Sequence, residues 1–146
     1  MILLYHLIFP DETPLRSWNA GNLIRLSAFR RQLQWLKRRF SFLSLEDYLA
    51  LYRQDPALCR GKAALTFDDG YARTYALAAP VLREEGIPAT FFTNTSNLNH
   101  GLLWFVYFNA LCSEAAYPAL EINGGHYPLD TKRNSLRAWR TLIQFA

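Results

Sequence analysis

The sequence predicts an α/β fold: βα units arranged on a parallel sheet or barrel. Two observations carry that expectation. Short apolar runs alternate with segments whose apolar residues recur three and four positions apart, the strand and helix periods respectively. Cap and stop residues also fall at the borders of those segments. At 146 residues and 51% hydrophobic, the chain has one domain's worth of material and buries roughly two-thirds of its unfolded surface on size scaling. High aromatic content, 15%, and only 19% charged residues argue against disorder.

Taken in order, Ile2 to Phe9 reads as a buried strand, followed by a polar loop through Pro10 and Pro14. Ser27 is placed to cap a helix whose apolar side is Phe29, Leu33, Leu36 and Phe40. The short run Phe40 to Leu43 leads to Ser44, the expected cap of a second helix carrying Leu45, Tyr48, Leu49 and Tyr52. Ala63 to Phe67 is the third strand. A helix follows with Leu77, Val81 and Leu82 on its apolar side, Pro80 restricting where its regular part can start, and Gly86 stopping it. Ala89 to Thr93 is the next strand. Beyond Asn94 the pattern changes: a turn-rich loop, the apolar segment LLWFVYFNALC as a buried helix, a hairpin with Asn123-Gly124 in its turn, and a helix over Thr131 to Phe145.

The net charge is +4, from 16 basic and 12 acidic residues. The densest basic run, Arg30, Arg31, Lys37, Arg38 and Arg39, falls on the first helix and reads as a solvated face. Nucleic acid is not an expected partner, because one basic helix without interleaved stacking aromatics is a weak footprint. Cys59 and Cys112 lie far apart and form neither a CxxC pair nor a disulfide framework. The opening MILLYHLIFPDE lacks a basic leader and a small-residue cleavage site, so it reads as a strand; with no signal peptide seen, a cytoplasmic location is the default. No apolar run approaches the ~20 residues of a membrane span.

The feature that needs a chemical reason is Asp68-Asp69, at the carboxyl end of the third strand. Adjacent carboxylates repel, so the pair calls for solvent or a cation. In parallel α/β folds, side chains at the carboxyl ends of the strands converge on the functional site. The bland alternative is that one Asp caps the next helix while the other is solvated.

The stretch TFDDGY, Thr66 to Tyr71, followed by GIPATFF, Gly86 to Phe92, resembles the polysaccharide deacetylase family (NodB homology, carbohydrate esterase family 4). LLYH at Leu3 to His6 and LLW at Leu102 to Trp104 add to the resemblance. It implies the N-terminal portion of a distorted (β/α) barrel. The implied reaction is metal-dependent removal of N-acetyl or O-acetyl groups from a polysaccharide such as chitin, peptidoglycan or an exopolysaccharide. On the family pattern Asp68 is the general base and Asp69 a ligand of zinc or another divalent cation. Such a cation lowers the pKa of a bound water to about 7, and it neutralises the repulsion between the two acids.

The family's later His-x-x-x-His ligands, Arg-x-Pro-Tyr segment and late catalytic His have no counterpart here. Catalytic zinc sites use three protein ligands, so Asp69 alone would hold metal weakly. Of the three histidines, His6 suits a core or supporting role on its strand, His100 a solvated loop and His126 the surface beside the hairpin; no pair has metal-ligand spacing. The expected account is a deacetylase domain over residues 1–146 that stops before the histidine pair, with unfinished barrel edges that favour self-association. Two alternatives remain: a non-catalytic remnant binding carbohydrate on Trp104, Tyr107 and Tyr127, and a basic interaction protein with salt-dependent binding to a polyanion.

Overall fold

The computed structural model describes residues 1–13, 23–95, 117–142 and 144. The described residues up to Asn94 form one compact unit, and residues 117–142 belong to a second. The apolar segment expected as a buried helix, with Trp104, Tyr107, His100 and Cys112, lies outside the described residues.

In the first unit the order is β1 (Ile2–Tyr5), β2 (Leu7–Phe9), β3 (Leu23–Arg25), α1 (Leu26–Lys37), β4 (Ser41–Leu43), α2 (Leu45–Gln54), a 3-10 turn (Pro56–Cys59), β5 (Lys62–Phe67), α3 (Ala72–Glu85) and β6 (Thr90–Phe91). Strand β5 is the centre of a parallel sheet. It pairs with β1 along one edge, and with β4 and then β6 along the other. Its residues 63–67 are all buried, as expected for a parallel strand covered on both faces. Alternation assigns the faces. Leu65 and Phe67 pack with Phe29 and Leu33 of α1 and with Ala78, Val81 and Leu82 of α3, whereas Ala64 packs with Tyr48 of α2 and Cys59.

Where one strand is expected over Ile2 to Phe9, the structure has two. The ladder to β5 ends where the Asp68 amide donates to the Tyr5 carbonyl. The buried Thr74 hydroxyl then donates to the His6 carbonyl (3.1 Å) and accepts from the Ile8 amide (3.2 Å). One α3 side chain thus takes up the backbone groups on either side of the break, and β2 leaves to pair in parallel with β3. Strand β3 is a further element beyond those expected, because it runs into α1 with no turn residue between them.

Capping is corrected at one helix and upheld at another. Ser27 is not the cap of α1; Arg25 holds that position without a side-chain bond, and Oδ1 of Asp11 accepts from both the Ser27 amide and hydroxyl. Ser44 caps α2 by accepting from the Asp47 amide at 3.0 Å. Pro80 does not limit where α3 starts but lies inside it, and Gly86 ends it at φ 64°. The burial of Thr74, Ala78, Val81 and Leu82 along one side outweighs the hydrogen bond that Pro80 cannot donate. The basic face of α1 is only partly solvated: Arg30 pairs with Glu84 (2.6 Å) and Lys37 with Glu85 (3.0 Å) on α3. Hydrogen bonds from Lys37 and Gln34 hold the Glu85 carboxyl below the usual carboxylate range.

In the second unit, β7 (Ala119–Ile122) and β8 (Gly125–Pro128) form the expected antiparallel hairpin, with Asn123 and Gly124 both at positive φ in the turn. Helix α4 (Lys132–Leu142) follows, with the Thr131 hydroxyl accepting from the Asn134 amide. No described helix is long and apolar enough to cross a membrane.

Strand β1 has no partner on its outer edge among the described residues. The Met1 and Tyr5 carbonyls bond toward β5, so Ile2 and Leu4 aim their backbone groups at that edge, and both are about half exposed, 47% and 54%. We expect self-association through this edge. A Leu4→Lys substitution should lower the weight-average mass read by static light scattering at a given concentration, with the far-UV spectrum unchanged. An unchanged mass would assign any association elsewhere.

Candidate active site

Three strand ends meet at the carboxyl edge of the first unit. The registers Tyr5↔Phe67 and Phe67↔Phe91 put His6 after β1, Asp68 after β5 and Phe92 after β6 at one level. The Phe92 amide donates to the Phe67 carbonyl at 2.8 Å, extending the ladder one residue past β6. The platform below is aromatic. Phe67 stacks flat on Phe91 (4.4 Å between centroids, 4° between planes), and Tyr5 and Phe29 pack on it at 5.6 and 5.9 Å. Rigid rings directly under the loop hold Asp68 at a defined height.

The loop itself turns sharply. Asp69 has φ 70° and Gly70 φ 65°, so two consecutive residues occupy the left-handed region. Asp is among the few side chains that visit this region, at a cost of about 1 kcal/mol, and such outliers concentrate at functional sites. Gly70 is required for a second reason: a Cβ there would lie 3.0 Å from Cα of Thr93. We expect Gly70→Ala to destabilise by about 1–3 kcal/mol. Denaturant unfolding alongside Gly61→Ala checks this, because Gly61 has φ 68° with nothing within 4 Å of its Cβ position. Equal losses in the two variants would mean that the Thr93 contact contributes nothing.

The two carboxylates are not equivalent. The cap position of α3 is Tyr71, so neither Asp fills it. Burial, then the Asp69 charge, then a hydrogen bond to the Asp69 side chain push the Tyr71 phenol up, and it stays a neutral donor to that carboxylate. Asp68 has a backbone bond to Tyr5, while its side chain has no hydrogen-bond or ion-pair partner among the described residues. One acid is tied down and its neighbour is open. Sequence reasoning gave Tyr71 no role, although it stands inside the TFDDGY stretch; a phenol two residues from an Asp across a Gly turn was the available signal.

The described residues do not fit a complete metal centre. No group of three His, Cys, Asp or Glu side chains converges among them, whereas a catalytic zinc takes three protein ligands. His126 pairs with Glu121 across the exposed hairpin of the second unit, and Tyr127 lies beneath the Arg137 guanidinium at 6.0 Å.

An α/β sheet that delivers adjacent carboxylates at the carboxyl end of its central strand places them where ligand sites form in this class of fold. Residues 56–122 match the polysaccharide deacetylase family model. The chain is 29% identical over 102 residues to YxkH of Bacillus subtilis (strain 168), a protein whose name places it among the polysaccharide deacetylases; this covers 68% of the chain and 33% of YxkH. Among solved structures, it is similar to the Streptococcus pyogenes deacetylase PplD (TM-score 0.55, 33% identity, 68% of this chain and 44% of that one). The de-N-acetylase from Aggregatibacter actinomycetemcomitans is similar in fold (TM-score 0.57, 18% identity, 97% and 50%). Residues 56–122 thus carry a match to the polysaccharide deacetylase family, and the α/β fold is similar to that of these solved deacetylases. It spans about a third of the length of the curated relative and at most half of these solved structures.

Proposed function

We propose that residues 1–146 are part of a deacetylase domain that hydrolyses acetyl groups on polysaccharide, with Asp68 as general base and Asp69 as a cation ligand. The observation that carries this reading is the asymmetry of the pair: a carboxylate open to take a proton beside one whose orientation a phenol holds. Asp68 takes the proton of the attacking water as the C–O bond forms, and returns it to the leaving nitrogen or oxygen as the acyl bond breaks. The aromatic platform fixes the end of β5, from which the Asp68 backbone continues. Asp69 would be one of several donors to zinc or another divalent cation, the others coming from outside the described set.

A second reading is a carbohydrate-binding chain without catalysis, favoured by the lack of a three-donor cluster among the described residues. Acetate release from an N-acetylated oligosaccharide, measured with and without added Zn2+, separates the two. Release that depends on both the cation and Asp68 supports the first reading; binding of the oligosaccharide with no release supports the second.

A further inference from the structure

Apart from the strand ends, the first unit has an open groove of about 550 Å³ between β1 and α1, lined by Leu3, Tyr5, Arg31, Gln32, Trp35 and Leu36 among others. This volume is within the range of ligand sites. Its chemistry is one-sided. The Tyr5 hydroxyl donates to Oε1 of Gln32 at 2.8 Å, which turns the Gln32 amide N–H groups away from Tyr5 as free donors. Arg31 adds a guanidinium, and among the described residues no acidic side chain lines the groove. Of the basic run on α1, Arg30 and Lys37 are neutralised by α3, while Arg31 has no ion pair among the described residues. The apolar wall includes Trp35, 53% exposed, whose ring is steadied by the Arg39 guanidinium 3.9 Å from its centroid. The groove therefore suits a ligand that is acceptor-rich, negatively charged and equipped with a flat C–H face.

We propose that this groove binds an acidic polysaccharide, a uronate ring lying against Trp35 with its carboxylate paired to Arg31 and its hydroxyls accepting from Gln32. The choice of a saccharide over another anion rests on the deacetylase reading above; the charge and the stacking face rest on the groove. A pyranose supplies axial C–H groups to the aromatic ring, and its carboxylate meets the planar guanidinium in two parallel hydrogen bonds. The groove reaches Tyr5, one residue below the level of His6 and Asp68, so a bound chain would extend toward the strand ends. The binding groove and the carboxylate pair then act on one polymer.

The test is calorimetric titration of the full chain with trigalacturonate, chitotriose and a single-stranded oligonucleotide of equal charge, at two salt concentrations. The expected result is preference for trigalacturonate, weakened by salt, with at least tenfold loss in Arg31→Gln and in Trp35→Ala and no change in Arg53→Gln, an exposed arginine of α2 outside the groove. Near-UV spectra check that the variants fold, and quenching of tryptophan fluorescence by trigalacturonate in the unaltered chain gives a readout that needs no variant. Absent binding, equal binding of chitotriose, or equal binding of the oligonucleotide overturns the proposal. So does retention of affinity in Arg31→Gln, or an equal loss in Arg53→Gln, which would make the binding a general charge effect. Zinc-dependent acetate release from chitotriose without trigalacturonate binding would leave the deacetylase reading standing and remove only this one.

Discussion

Asp68→Asn is expected to leave the fold intact and to lower acetate release by about 10²–10⁴-fold, the usual contribution of a positioned general base. The substitution keeps the shape of the side chain and removes its ability to take a proton. Because the Asp68 side chain has no partner among the described residues, no hydrogen bond of the folded state is lost with the charge. Removing one of two adjacent negative charges also relieves repulsion, so the thermal midpoint should hold steady or rise slightly. Binding of oligosaccharide should change by less than about twofold, since the step lost is a proton transfer and not a contact. The measurement is acetate release and titration calorimetry on the same samples. Retained turnover would move the base to another residue. A fall in both turnover and binding would make Asp68 a substrate contact instead.

Phe67→Ala is expected to cost about 3–5 kcal/mol, the range for truncating a buried phenylalanine. Phe67 is 1% exposed and touches rings on three sides, from Tyr5, Phe29 and Phe91. The cavity left behind would sit between β5, α1 and β6, and only small shifts of rigid rings could fill it. Against a total stability of about 5–15 kcal/mol for a typical domain, this loss removes a large share. Urea unfolding followed by far-UV dichroism reads it directly. A loss below about 1.5 kcal/mol would mean that the surrounding rings collapse into the space and that the platform under Asp68 is soft. Both substitutions fall on consecutive residues, yet one should change chemistry and the other stability, because strand alternation and the end of the ladder put one side chain in the core and leave the next at the rim.

Apart from β3 and the split between β1 and β2, the βα order of the described residues was legible in the sequence, because helices declare themselves by periodicity and strands by short apolar runs. The helix of residues 26–37, the Ser44 cap, the Gly86 stop and the Asn123-Gly124 turn all follow from local chemistry that tertiary contacts reinforce. The carboxylate pair was equally legible, since its place at a strand end depends only on where the apolar run stops. Three features were decided by residues far apart in the chain. The break at His6 exists because Thr74 satisfies its flanking backbone groups, 68 and 66 positions away. The first turn of α1 is bonded by Asp11, which accepts from the Ser27 amide and hydroxyl, and not capped by Ser27. The groove beside Trp35 exists only because β1 and α1 pack side by side. The sequence by itself determined the alternation of strands and helices and the adjacency of two acids, since both are written in neighbouring residues. Tertiary structure alone decided the break at His6 and the bonds of Asp11 to the start of α1, because the distant partners of a polar group are set by what the fold brings within hydrogen-bonding reach.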